Sequence, residues 1–254
     1  VAKVLTSALL ATFIGLALGL FGGGGSVLAV PMLIYVAGLS DKSAIATSLV
    51  LVSVTSLVAL SSHAFAKNVE WRGAIAFAPS AMIGAYVGAL FAARLPGALL
   101  VGLFAVVMVM TAGSMWRKGD AKPEPHPHGR HSVLAVSSLG AAVGLLTGLV
   151  GAGGGFLVVP ALALLLGMPL GRAIGTSLVV IAANSAAALL GYASDVSIDF
   201  RLAAVITLTA SLGAIVGSKL VRRIDTRLLR KGFAVLILTM GLMMLLRAVR
   251  SGMA

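Results

Sequence analysis

The chain of 254 residues is 59% hydrophobic and only 10% charged, has no cysteine and carries a formal net charge of +12. A soluble domain has about 25% charged residues, so a soluble globular fold is excluded, as are disulfides and thiol chemistry. The basic residues sit in short loops between apolar runs, where they orient a membrane protein rather than bind nucleic acid.

Apolar stretches fall at roughly 4–21, 26–37, 43–66, 73–94 and 98–116, then again at 132–150, 155–166, 172–194, 202–220 and 232–247. Crossing the hydrocarbon takes about 20 apolar residues. The third, fourth and fifth stretches of each set reach that length, and the second of each set does not. Val4 to Phe21 has the apolar content of a signal peptide, but its counterpart Val133 to Val150 lies mid-chain, so both are read as structural. Between the sets, Arg117 to His131 is rich in proline, histidine and charge and reads as an exposed linker. Its His126, His128 and His131 lack a firm fourth ligand, so neither a metal nor another cofactor is expected.

The first stretch runs into Gly22, Gly23, Gly24, Gly25 and Ser26, and the sixth into Gly151, Ala152, Gly153, Gly154 and Gly155. Consecutive glycines are poor helix formers. Inside a bilayer, non-helical backbone is tolerated only where protein buries it or a water-filled cavity satisfies it. A helix should therefore end at about Phe21 and restart near Ser26, aiming free N–H groups and a positive dipole end into the break, and the second cluster should do the same. Such a break is an anion site made from backbone. Gly22, Gly24, Gly25, Gly151, Gly153, Gly154 and Gly155 would shape it, and Ser26 would add a hydroxyl. Spaced glycines (Gly15 and Gly19, Gly84 and Gly88, Gly213 and Gly217) are read instead as close helix packing. No Lys-Ser/Thr pair follows either cluster, so a nucleotide-phosphate loop is not expected. Pro31 and Pro160 each remove an N–H within two turns, which suits a tolerated kink at least as well as a ligand role.

Further along each half, Thr47-Ser48 and Thr176-Ser177 open the next helix, and deeper in it Thr55-Ser56 aligns with Asn184-Ser185. Neutral hydroxyl and amide groups would hold a small oxyanion without binding it too tightly for release. The competing reading is hydrogen bonding between helices or to the helix's own carbonyls. His63 is the one titratable group inside an expected helix, with Tyr192 at its aligned position. It is a candidate for proton coupling, against a packed or interface-facing role. All seven acidic residues lie in loops or at helix ends, so no carboxylate relay is visible within the spans.

These alignments belong to one duplication with a constant offset of 129 residues, running without a gap from Val4 against Val133 to Met115 against Met244. Whether the short segments re-enter or cross, each half makes an odd number of crossings, so the halves face opposite ways, as in many secondary transporters. The expected fold is an all-α polytopic membrane protein of two inverted-topology repeats. Each repeat has three long transmembrane helices plus a Gly-broken pair of shorter membrane helices. Residues 1–116 form the first repeat, 117–131 the linker and 132–254 the second repeat. Loops on the linker's side hold most of the 19 basic residues, which makes the linker cytoplasmic and puts both termini outside.

The doubled glycine motif followed by Val30-Pro31 and Val159-Pro160, with Ala-x-x-Thr-Ser-Leu at Ala44 to Leu49 and Ala173 to Leu178, resembles the TauE/SafE sulfite-exporter family. The resemblance covers essentially Val4 to Arg247. It implies a bacterial inner-membrane permease for small sulfur-containing anions or organic acids (sulfite, thiosulfate, sulfonates), in a family whose members differ in substrate and direction. The first cluster reads Gly-Gly-Gly-Gly-Ser and the second Gly-Ala-Gly-Gly-Gly, so the two need not contribute equally. The expected function is a secondary transporter exporting sulfite or organosulfonates by alternating access at the paired breaks. An anion channel on the same site, or a carrier of small carboxylates, is the alternative. An enzyme would need nucleophile, base or metal clusters at membrane depth, and none is apparent. The expected partners are the small anion and the bilayer, with a homodimer left open.

Overall fold

The computed structural model describes the chain apart from residues 1, 22–25, 118–132, 151–153, 193–195, 197, 221–223, 225 and 253–254. The helices follow in the order α1 (Ala2–Phe21), α2 (Ala29–Tyr35), α3 (Asp41–Phe65), α4 (Trp71–Ala93) and α5 (Gly97–Arg117). They continue with α6 (Val133–Val150), α7 (Gly155–Pro160), α8 (Leu170–Tyr192), α9 (Phe200–Leu220) and α10 (Thr226–Gly252). No strand occurs among the described residues. Four segments among them, Asp41–Phe65, Trp71–Ala93, Gly171–Tyr192 and Phe200–Leu220, are long and apolar enough to cross a membrane. The linker lies outside the described residues except for Arg117, the last residue of α5. α10 runs well past the apolar stretch at 232–247, because the Leu, Arg and Lys residues before it are good helix formers in their own right.

The short segments are where local chemistry departs from a plain helix. Residues 26–28 form a 3₁₀ turn ahead of α2, and Ser26–Tyr35 is a short apolar helix that rises only ~15 Å, half of a hydrocarbon core of ~30 Å. In the second half α7 ends at Pro160 and the chain continues as a π-helical turn, Ala161–Leu165. Proline supplies no N–H to the ladder, so the following turn is free to widen. Both segments then stop in the same way. Ala37 and Leu39 donate backbone N–H bonds to Met32 (3.3 Å) and Leu33 (3.0 Å), and Leu166 and Met168 donate to Ala161 (3.2 Å) and Leu162 (3.1 Å). Gly38 and Gly167 follow at φ 73° and 66°, the left-handed conformation that closes a helix and that glycine adopts without strain. These stops repeat at the offset of the sequence duplication, whereas among the described residues the 3₁₀ turn and the π-helical turn each occur in one half only.

The halves exchange helices. α4 packs on α6 and α8, while α1 and α3 pack on α9; α3 meets α8, and α5 meets α10. Exchanging each helix for its counterpart in the other half leaves this pattern of neighbours unchanged. The tightest pairs use the spaced glycines. A Cβ added at Gly15 or Gly19 would strike the backbone of Ala210 or Ala214, and one at Gly213 or Gly217 would strike that of Thr12 or Leu16. In the equivalent pair, Gly84 and Gly88 meet Ala141 and Leu145, and Gly144 and Gly148 meet Ala81 and Ala85. Backbones in such contact gain van der Waals attraction that lipid cannot supply, the main source of helix association in a membrane. In both pairs the contacts advance together along the two chains, so the partners run parallel.

α3 and α8 run the other way past each other. Ser53 donates its hydroxyl to the Ala182 carbonyl at 3.2 Å, across a separation equal to the repeat offset. Ten residues later on α3, His63 lies against Gly175, seven residues earlier on α8. The helices are therefore antiparallel, crossing near Ser53 and Ala182 in the middle of the molecule.

Candidate functional site

Polar side chains along α3 and α8, and Ser26 ahead of α2, are deeply buried. Thr55, Ser56, Asn184 and Ser185 are each at most 1% exposed, and Ser26, Thr47, Ser48, Thr176 and Ser177 are equally buried. Burial of a hydroxyl or amide is costly unless a partner meets it, so the partners sort these residues. Ser48 donates to the Ile45 carbonyl at 2.7 Å and Ser177 to that of Ile174 at 2.8 Å, the same bond in both halves. Thr55 donates to Leu51 at 2.6 Å. Thr176 accepts from the Glu70 backbone N–H at 2.9 Å, tying the start of α8 to the loop before α4. The structure thus occupies these hydroxyls internally, in the way hydroxyls in membrane helices commonly bond.

A second group has no such bond. The Ser56 and Ser185 hydroxyls, both the amide nitrogen and the amide oxygen of Asn184, and the Thr207 hydroxyl are buried without a hydrogen-bond partner in the described structure. An unmet buried polar atom costs about 1–3 kcal/mol, so these five call for a partner from outside the chain, a water or a ligand. Ser56 lies three residues beyond the crossing on α3, and Asn184 and Ser185 two and three beyond it on α8. At ~1.5 Å per residue Ser56 and Ser185 stand ~9 Å apart along the antiparallel axes, one on either side of the crossing. The structure therefore puts the unmet atoms of α3 and α8 in two groups, one on each side of the crossing, rather than in one. They are unequal, because Thr55 bonds its own helix whereas its counterpart Asn184 keeps both amide atoms unmet.

Sequence reasoning missed Ser53, which makes the crossing bond, and Thr207 on α9, which packs on α3. The signal for Thr207 was present: a polar residue in the middle of an apolar helix whose counterpart is Ala78.

Of the glycine clusters, Gly22, Gly24, Gly25, Gly151 and Gly153 lie outside the described residues. Gly154 and Gly155 lie within them. Gly154 has φ 67°, and a Cβ there would collide with the Thr147 side chain, so this position requires glycine twice over, for conformation and for space. Gly155 is the first residue of α7. His63 is buried where the end of α3 meets the start of α8. At the equivalent place in the second half the Tyr192 hydroxyl lies 3.5 Å from the carbonyls of Gly148 and Leu149, just ahead of the second cluster. No group of three His, Cys, Asp or Glu residues able to hold a metal occurs among the described residues.

Comparison with known proteins places the chain among membrane transporters. The family model described as "Sulfite exporter TauE/SafE" matches residues 7–244. A "Probable membrane transporter protein" of Xylella fastidiosa (strain 9a5c) is 35% identical over 242 residues, covering 92% of each chain. Proteins of the same description are 30% identical over 247 residues in Bacillus subtilis, covering 92% of this chain and 96% of that one, and 28% identical over 254 residues in Methanocaldococcus jannaschii, covering 92% of each. No solved structure matches the chain.

Proposed function

This chain belongs to the sulfite exporter TauE/SafE family and is a multi-pass membrane transporter, and we propose that it exports small sulfur-containing oxyanions such as sulfite or organosulfonates. The observation that carries the proposal is the set of buried, unmet donors at the α3–α8 crossing, Ser56, Asn184 and Ser185. Hydroxyl and amide groups are what a small oxyanion needs in order to leave water. Neutral donors hold it by bonds worth about 0.5–1.5 kcal/mol each, against 1.5–3 when a charge takes part, so the cargo is released as readily as it is bound.

In this reading the two halves, 1–116 and 132–254, are inverted repeats, which the antiparallel course of α3 and α8 supports. The half-sites on either side of the crossing then serve opposite faces of the membrane. α1, α2, α3 and α9 move as one body and α6, α7, α8 and α4 as the other, because the glycine contacts join α1 to α9 and α4 to α6. Sliding of α3 past α8 exposes one half-site and then the other. Gly154, at φ 67°, sets the turn into α7, and Gly155 opens that helix toward the path. Basic loops place the linker in the cytoplasm and both termini outside the bacterial inner membrane.

The test is flux in liposomes holding the purified protein. Sulfite uptake that saturates, shows counter-transport and falls at least tenfold in Ser56→Ala/Ser185→Ala supports the proposal. Uptake in the double variant equal to wild type overturns the site, and linear, non-saturating flux without counter-transport overturns the carrier mechanism.

A further inference from the structure

The unmet atoms at Asn184 say more about the cargo than its charge. An amide presents a donor and an acceptor, and here both are buried and unmet, so the argument does not depend on which way the amide is turned. A fully deprotonated oxyanion such as sulfite dianion or sulfate offers only acceptors. It would satisfy the amide nitrogen but leave the amide oxygen facing negative oxygens in an apolar interior, where an unfavourable pairing is poorly screened.

Resting on the site assigned above, we infer that the α8 half-site selects a singly charged oxyanion carrying its own O–H donor: hydrogensulfite rather than sulfite dianion, and a hydroxyalkanesulfonate rather than an alkanesulfonate. The oxyanion head accepts from the Asn184 amide nitrogen, and the cargo's O–H donates to the Asn184 oxygen. The α3 half-site has no amide: Thr55 donates its proton to the Leu51 carbonyl, and only hydroxyl oxygens remain there to accept, so the carbonyl-type acceptor belongs to one half of the duplication only. For hydrogensulfite, the proton then crosses the membrane on the cargo. This explains how a chain with no acidic residue in the middle of its long helices could move an anion together with a proton.

Two probes differ by a single hydroxyl and carry the same charge: 2-hydroxyethanesulfonate and ethanesulfonate. Calorimetric titration of the purified full-length protein is expected to give at least tenfold tighter binding of the hydroxylated probe. The preference should fall below twofold in Asn184→Leu, with ethanesulfonate still bound, and it should survive in Ser56→Ala. Equal affinities in the wild type, the outcome if a water molecule rather than cargo meets the amide, overturn the inference and leave the oxyanion site standing. That measurement needs no variant, so it decides the matter even if Asn184→Leu does not fold. A preference that persists in a folded Asn184→Leu also overturns it. Binding of neither probe, together with absent sulfite flux, overturns the oxyanion site itself and this inference with it.

Discussion

If the polar groups at the crossing exist for cargo, removing one should make the empty protein more stable while impairing function. Asn184→Leu is the sharpest case. Leucine shares asparagine's branching at Cγ and leaves no cavity, and it removes two buried atoms that no protein group meets. Taking about 1 kcal/mol per atom, the low end of the desolvation penalty because polar groups of a chain unfolded within the membrane also find partners, the variant gains about 2 kcal/mol. For a chain of this length each kcal/mol moves the midpoint by roughly 2–4 °C, so the ligand-free variant should melt about 4–8 °C higher. The assay is thermal unfolding of detergent-purified protein with and without cargo. A ligand at a hundredfold excess over its Kd stabilises by about 2.7 kcal/mol, and the variant should lose most of that shift for a hydroxylated sulfonate. A variant that melts below wild type and keeps the full ligand shift would refute the reasoning, because the amide would then be serving the fold.

Other perturbations address the framework. Gly154→Ala places a side chain at φ 67° and against Thr147, so it should cost about 1–3 kcal/mol; adding Thr147→Gly should recover the steric part only, as read from unfolding midpoints. Gly84→Leu and Gly213→Leu wedge backbones apart in the two parallel pairs and should cost at least about 1–3 kcal/mol each, whereas Gly113→Leu, with nothing within 4 Å of its added Cβ, should be neutral in the same assay. Thr176→Val removes the bond to the Glu70 N–H and should cost about 1–2 kcal/mol while leaving the affinity ratio of the two sulfonates unchanged. Spin labels can be placed by single cysteine substitutions because the chain has none. Exposed positions within one proposed body, Phe13 and Leu212, should keep their separation when cargo is added. Leu57 and Leu190, on α3 and α8, should change theirs; no change would count against sliding at the crossing.

Most of the helical order could be read from hydropathy, because each segment must bury its backbone bonds internally and so announces itself as a continuous apolar run. The spaced glycines were legible for a related reason: small residues four apart have little other use in a membrane helix, and Gly84, Gly88, Gly213 and Gly217 do pack against backbone. The exchange of helices between halves was not legible. Lipid and protein neighbours are both apolar, so a sequence does not mark which face of α4 meets α6 and which meets lipid. Nor could the hydroxyls be sorted by type. Thr55 and Ser56 are neighbours on one helix, yet one bonds its own backbone and the other does not, a difference set by rotamer and surroundings rather than by spacing. Pattern marked the 129-residue pairing of Thr55 with Asn184, but not that the threonine closes on itself while the amide stays open.

That difference also bears on why a duplicated protein keeps unequal halves. If both half-sites held cargo equally, the two faces of the membrane would be equivalent and direction would follow the gradient alone. On the inference drawn above, the Asn184 amide oxygen would make the α8 half-site bind the donor-bearing form more tightly than the α3 half-site, and the two ends of the cycle would differ in affinity for one chemical species. Such a difference cannot drive net transport by itself, since the cycle returns the protein to its starting state. It does set which face loads at low concentration and which unloads at high concentration. An exporter works best with its tighter half-site facing the cytoplasm, where a cargo kept scarce must be captured, and its looser one facing outward. Neutral donors suit both tasks: a few bonds of about 1 kcal/mol keep Kd near the millimolar range, whereas a buried cation in the same apolar setting would hold the anion more tightly and release it more slowly.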